Sequence, residues 1–373
     1  MKKLSCILCL LVLGCNLLYS PASAQDMNYT QYYSTPLYVN PAYTGINTGL
    51  RARFLFRDQW PAAPIAFKSY YFSADLGDRG LPGAGGLGLV VQSDNPGVGL
   101  INNLTAALTI GARIPITSFL IAQVGIKAGI MQRRVYYDDL VFSNQFDARY
   151  GNIYQSNFTD FSAQKRVVPD FGAGGVLQFS TPEGNVTGDV GFAVDHIFQP
   201  DVSFLSVGSS QYPRKWVGNF NLVVTSGPGG TSNAMTSGLS EPLKIDLGAL
   251  YMNQASLNSL EFGLNLLKFN IYLGCWYKNT LTGVVNSSVA VLAGYKFNFY
   301  DDMSLKFLYS YDIQVSGALQ GTGGAHEISL VLEFDKLQIF GHGGGGGGGG
   351  GYIPGTNGGS KRYGGPLECP SFY

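Results

Sequence analysis

Residues able to do chemistry are sparse in this chain, and their spacing argues against an active centre. The three histidines, His196, His326 and His342, stand far apart, and none has a cysteine or a paired carboxylate at the spacing a zinc site needs. Asp138-Asp139 and Asp301-Asp302 are paired carboxylates, but calcium needs about six oxygens from a shaped loop, so both pairs read as solvated turns. There is no Gly-x-Ser-x-Gly elbow and no Gly-x-x-x-x-Gly-Lys-Ser/Thr loop. The run Gly343 to Gly351 lacks the lysine and hydroxyl residue of a phosphate loop and is low complexity. The sequence predicts no catalytic residues, no cofactor and no metal, and turns attention to what the chain could bind.

The elements that would carry a binding surface begin after an export signal. Residues 1–24 combine Lys2 and Lys3, an apolar run from Leu4 to Leu18 and Ala22-Ser23-Ala24 before Gln25, so cleavage is expected between Ala24 and Gln25. Lipidation at Cys15 is the lesser alternative, because Leu13 is bulky where a small residue is usual. Cys6, Cys9 and Cys15 leave with the signal, and Cys275 and Cys369 allow one bridge but no disulfide framework. Loss of Lys2 and Lys3 changes 24 basic and 24 acidic residues to 22 against 24, a net of −2, with no footprint for nucleic acid. Charged residues make up 13%, aromatics 13%, and there are 51 glycines. That composition suits an aromatic-girdled membrane barrel better than its plainer alternative, a secreted β-sandwich.

After residue 24 no stretch supplies the roughly 18 consecutive apolar residues of a spanning helix, so a membrane form must be a closed sheet. Fourteen segments read as strands, most of them near the roughly 9–11 residues a tilted strand needs. They are Leu50–Asp58, Phe67–Leu76, Gly85–Ser93, Asn102–Ile114, Phe119–Arg133, Pro169–Ser180, Val186–Asp195, Lys215–Ser226, Leu243–Asn253, Ser256–Asn265, Phe269–Lys278, Ser288–Phe299, Ser304–Asp312 and Gly324–Phe334. Alternation is clearest where Leu305, Phe307, Tyr309 and Tyr311 oppose Ser304, Lys306, Leu308 and Ser310. It recurs where Ile328, Leu330, Leu332 and Phe334 oppose Glu327, Ser329, Val331 and Glu333. The apolar rows are assigned to lipid. Arg51, Arg53, Arg57, Lys127, Arg133 and Arg134 are candidate lumen charges, and His326 is assigned to the membrane interface. Short connections at Tyr300–Asp302 and Asn253–Ala255, and long ones at Tyr136–Val168 and Thr225–Pro242, suggest periplasmic turns and outer loops. Gly85-Gly86 and Gly174-Gly175 mark bends or close packing of something held in the lumen.

Before the first strand, Gln31 to Gly45 is aromatic and small-polar and is broken by Pro36 and Pro41, which predicts an extended lead-in. The expected organisation is a signal at 1–24, an extended periplasmic lead-in at 25–49, a transmembrane antiparallel β-barrel of about 14 strands at 50–334, and a flexible Gly-rich tail at 335–373. Tyr32, Tyr33, Tyr38 and Tyr43, with Phe372 in the tail, are candidate partner-binding anchors, since such side chains are enriched at interfaces. Equally, the four tyrosines could plug or brace the barrel's own end.

The lead-in residues Gln31-Tyr32-Tyr33, Pro36-Leu37-Tyr38, Asn40-Pro41-Ala42 and Tyr43-Thr44-Gly45, with Arg57-Asp58-Gln59-Trp60-Pro61, resemble the opening of the PorP/SprF family. Gly85-Gly86-Leu87-Gly88, Asp94, Gly97-Val98-Gly99, Gly324 to Leu330 and the Cys369-Pro370-Ser371-Phe372 ending are similar to that family too. The resemblance implies a non-enzymatic outer-membrane component of type IX secretion and gliding motility in a Gram-negative bacterium. Its partners would be a secreted or surface protein with a C-terminal sorting domain, other secretion components and outer-membrane lipid. The alternating pattern alone also allows an outer-membrane porin or hydrophobic-substrate channel. An outer-membrane hydrolase would need a Ser, His and acid cluster that three scattered histidines do not provide.

Overall fold

The computed structural model describes residues 26–337 apart from 64–65, 79, 82–84, 97–100, 137–142, 148, 156–164, 205–208, 227–241, 282–286, 301, 317–320 and 336. The signal segment, Asp138-Asp139, Asp301, His342, Cys369, Phe372 and the polyglycine tail lie outside the described residues.

Fourteen strands form the wall: β1 (Gly49–Gln59), β2 (Phe67–Gly77), β3 (Gly86–Pro96), β4 (Ile101–Thr117), β5 (Leu120–Val135), β6 (Lys165–Ser180), β7 (Val186–Asp195), β8 (Lys215–Ser226), β9 (Leu243–Gln254), β10 (Leu257–Lys268), β11 (Ile271–Thr280), β12 (Ser287–Tyr300), β13 (Met303–Ser316) and β14 (Ala325–Phe334). Each pairs antiparallel with its neighbour in sequence, and β14 returns to β1 from Leu50↔Phe334 to Gln59↔Ala325. Closure leaves no unpaired edge, which a sheet in hydrocarbon requires. All fourteen segments expected from alternation are present. Three strands, β4–β6, are longer than the span of a bilayer demands, at 17, 16 and 16 residues. The β4–β5 hairpin carries exposed Ile114, Ile116 and Phe119 near its turn.

The two faces separate as the period of two dictates. Phe307, Tyr309, Ile328 and Leu330 are exposed on the outside, whereas Ser310, Asp312, Glu327 and Ser329 are buried within. Arg51, Arg53, Arg57, Lys127 and Arg133 also face inward and are buried. Arg134 departs from its assignment as a lumen charge: it follows Arg133 on one strand and so falls on the outer, exposed face.

The connections do not sort by length alone. Successive connections of an up-and-down barrel alternate ends, so the short 255–256 turn shares one end with the long 136–164 connection. The short 301–302 turn shares the other with 227–242. Two-residue turns at 118–119, 269–270 and 301–302 lie at the end where β1 starts and β14 stops; the opposite end carries 136–164 and 196–214.

The lead-in is not extended. It coils into a 3-10 turn (Tyr32–Ser34), a four-residue helix α1 (Pro36–Val39) and a second 3-10 turn (Pro41–Tyr43). Both prolines stand at the first position of a turn, where no N–H is required and the fixed φ already suits the turn. Asn40 caps the second 3-10 turn, its Oδ1 accepting from the Ala42 N–H at 2.9 Å. Read as breakers, the prolines instead start turns.

Candidate functional site

The lead-in lies inside the barrel. Every residue from Tyr29 to Asn47 is buried, and the chain runs from one mouth to the other before joining β1. At the mouth where β1 ends, the Asp26 N–H donates to Gln254 Oε1 at 2.7 Å. The Asp26 carboxylate meets His196 Nε2 at 3.0 Å, Lys215 Nζ at 2.9 Å and the Tyr212 hydroxyl at 2.6 Å. The lead-in forms no wall strand, but it is not confined to one end of the barrel. Residues 29–47 fill the lumen, and residue 26 lies at the mouth opposite the start of β1.

One side of the lumen holds the segment by polar side chains. Glu327 accepts from the successive N–H groups of Thr30 and Gln31 at 2.8 and 2.9 Å. Arg57 pairs with that carboxylate and with Asp312. Thr30 Oγ1 donates to Asp312 and accepts from Arg57 and Lys278. Gln31 is held from both ends of its amide, by Ser310 at 3.0 Å and Ser329 at 2.7 Å. Charges here satisfy backbone and one another, which is what keeps buried ions tolerable. Lower in the lumen Tyr32 and Tyr33 pack against Trp276, with ring centroids 5.2 and 5.9 Å away, and the Tyr32 hydroxyl donates to Asn221.

The other side uses closeness of backbone. A Cβ on Gly86 would overlap Gly45, and one on Gly125 would overlap the Pro41 carbonyl. Only glycine lets the wall and segment approach this nearly. Gly174 sits against the Asn40 side chain, whose Nδ2 donates to the Gly175 carbonyl at 3.1 Å. Gln123 Nε2 donates to the Thr44 carbonyl at 2.8 Å, and the Gly45 N–H donates to Asp75 at 3.2 Å. In each glycine pair noted in the sequence one member, Gly86 or Gly174, is a packing site for the lumen occupant, whereas a Cβ on Gly85 would meet the wall's own Gly111.

The four tyrosines singled out as anchors contact the barrel's own interior, with 2, 4, 7 and 2% of Tyr32, Tyr33, Tyr38 and Tyr43 exposed. Tyr43 donates to Asp189, and Tyr38 donates to the Met27 carbonyl while its ring lies 3.8 Å from Lys215 Nζ. In this state none presents a surface to another protein. A signal for this was available. From Met27 to Leu50 there is no charged residue among many aromatics, a composition ill suited to hang in water.

His196 is gripped at both ring nitrogens, by Asp170 at 2.7 Å and Asp26 at 3.0 Å. Burial opposes its charge, but the two carboxylates outweigh burial and push the imidazole up to about 9. Asp26 is itself held well below the usual carboxylate range, its burial overcome by Lys215 and His196. With both nitrogens engaged, the ring has none free to activate a nucleophile. Among the described residues no group of three His, Cys, Asp or Glu side chains could hold a metal ion. The cavity left at this mouth beside Tyr38 and Lys127 is about 40 Å³, room for a water or two.

Comparison with known proteins gives the assignment. The model of the family described as type IX secretion system membrane protein PorP/SprF matches residues 22–332. No curated protein matches. Among solved structures, CdiB from Acinetobacter baumannii is similar over 77% of this chain at 8% identity and a TM-score of 0.43, this chain spanning 60% of its length. A Pseudomonas aeruginosa FadL homologue is similar over 79% of this chain and 92% of its own, at 12% identity and a TM-score of 0.41. The CymD monoaromatic hydrocarbon channel is similar over 84% and 93%, at 10% identity and a TM-score of 0.40. At those scores nothing about function passes from them to this chain. The family match covers most of the residues that build the closed wall and its filled lumen, and the chain belongs to the PorP/SprF family of type IX secretion system membrane proteins, outer-membrane β-barrels.

Proposed function

We propose that the protein is a non-enzymatic outer-membrane component of type IX secretion that assists export or surface attachment of a specific secreted or adhesin partner carrying a C-terminal sorting domain. The observation that carries this reading is the lumen. Among the described residues, 29–47 occupy it from one mouth to the other and are buried throughout, which argues against a role in passing solutes in this state. A barrel with a filled lumen and no recognised catalytic constellation among its described residues fits a role in binding. In this reading Tyr32, Tyr33, Tyr38 and Tyr43 brace the barrel, and the partner meets the connections at its mouths; contact through those tyrosines would require the segment to leave the lumen.

Deletion of the gene is expected to abolish surface display of one or a few secreted proteins while leaving small-solute uptake and bulk type IX export unchanged. Altered solute uptake with every surface protein in place would favour the channel instead.

A further inference from the structure

The outer wall carries a cationic pair where β5 ends and β6 begins, with no carboxylate partner among the described residues. Arg134 and Lys165 are directly opposite in the register, and both are exposed on the outer face. Like charges facing each other across a ladder destabilise it, and no carboxylate pairs with either among the described residues. Elsewhere on this rim the outward cation Lys68 stands opposite Asp58. The Arg134 guanidinium lies 4.5 Å from the centre of the Tyr136 ring, an arrangement that fixes its plane.

Along the wall from this pair the outer face carries Gln132 opposite Val167 and then Ile130 opposite Pro169. Val167 and Ile130, on the same two strands, are 52 and 54% exposed, and they face lipid in an outer-membrane barrel. The pair thus stands where acyl chains end and headgroups begin. It also lies at the mouth with the long 136–164 and 196–214 connections, opposite the start of β1 and the end of β14. The other end carries the long 227–242 connection but also three of the four two-residue turns, 118–119, 269–270 and 301–302; short turns mark the periplasmic end of such barrels, so the pair is assigned to the outer leaflet.

We propose that Arg134 and Lys165 form a binding site for the phosphorylated headgroup of an outer-leaflet glycolipid, whose acyl chains lie along Val167 and Ile130. A phosphate between the two cations removes their mutual repulsion and accepts directed N–H bonds from the guanidinium. The site rests on the membrane placement of the barrel and is independent of the secretion partner.

The test uses full-length protein in detergent, with binding of bisphosphorylated lipid A read by native mass spectrometry. Arg134→Gln with Lys165→Gln is expected to weaken binding roughly tenfold or more, at about fivefold per cation near a charged surface. Lys68→Gln is expected to leave it unchanged, and lipid A stripped of phosphate should bind wild type as weakly as intact lipid A binds the double variant. Heat-modifiable gel migration verifies that each variant is a folded barrel, and single Lys165→Gln, expected to weaken binding about fivefold, carries the test if the double variant fails to fold. Equal binding to wild type and double variant, or indifference to lipid phosphates, would overturn the proposal. Full competition by millimolar inorganic phosphate would do so too, by showing a soluble-anion site.

Discussion

The two sides of the lumen hold one segment by opposite means. Along β13 and β14 the wall reaches inward with Asp312, Glu327, Ser310 and Ser329 and takes hold of Thr30 and Gln31. Along β3 to β6 it withdraws, and glycines let the backbone of residues 40–45 lie against the backbone of the sheet. The polar side specifies which residues sit there, because the Thr30 and Gln31 donors each have a chosen acceptor. The glycine side specifies how close they may come. Together they explain why a barrel of this strand number encloses a filled core where one of its size could have kept a channel.

The sharpest break in this comparison comes from the glycine side, where no flexible side chain can yield. Gly125→Leu would drive its Cβ into the Pro41 carbonyl. The expected outcome is failure to form the heat-modifiable barrel, or a barrel with residues 40–45 expelled and open to protease, while the outward Ala128→Leu on the same strand behaves as wild type. A Gly125→Leu protein as protease-resistant as wild type would remove the close-packing argument.

On the polar side Glu327→Ala leaves Arg57 with Asp312 as its remaining carboxylate and orphans two backbone N–H groups. The cost is expected at roughly 3–5 kcal/mol, the range for breaking a buried pair, read as a lowered urea midpoint for loss of gel-shifted barrel.

The mouth clasp is weaker and depends on pH. His196, raised to about 9 in the folded protein from about 6.5 in the unfolded chain, contributes stability that is whole below about 6.5 and fades as pH rises through about 9. Asp26, lowered in the folded state, contributes stability present above about 3.9 and lost as pH falls through its folded value. Hydrogen exchange at residues 26–30, taken relative to the intrinsic amide rate at each pH, should therefore be slowest between about pH 4 and 6.5. It should speed on the alkaline side by up to about 3 kcal/mol of local opening, and His196→Asn should flatten that alkaline arm. The smallest effect belongs to Tyr32→Phe, which removes the hydroxyl bond to Asn221 and is expected to cost about 1 kcal/mol with the Trp276 packing retained.

The outer face was more legible in the sequence than the lumen, for a physical reason. Lipid admits one kind of residue, so Leu305, Phe307 and Tyr309 could be read at once as an outward row. Arg57 and Glu327 would look the same lining water or gripping a peptide, because either surrounding satisfies a charge. What occupied the lumen lay hundreds of residues from its partners: Thr30 bonds to Asp312 and Gln31 to Glu327 across separations no local pattern reports. The prolines misled for a different reason, since Pro36 and Pro41 start turns as readily as they end helices.

The placement of the segment itself is open to a direct measurement. Ser34 and Ser329 approach to 3.2 Å between hydroxyl oxygens, close enough for a bridge if both were cysteine. In protein with Cys275→Ser and Cys369→Ser, the pair Ser34→Cys and Ser329→Cys is expected to form a disulfide in the folded barrel under mild oxidation, seen as a reducible shift of the denatured chain on a gel. Two thiols that both remain free to react with maleimide after oxidation of the folded barrel would contradict a lumen filled by residues 29–47.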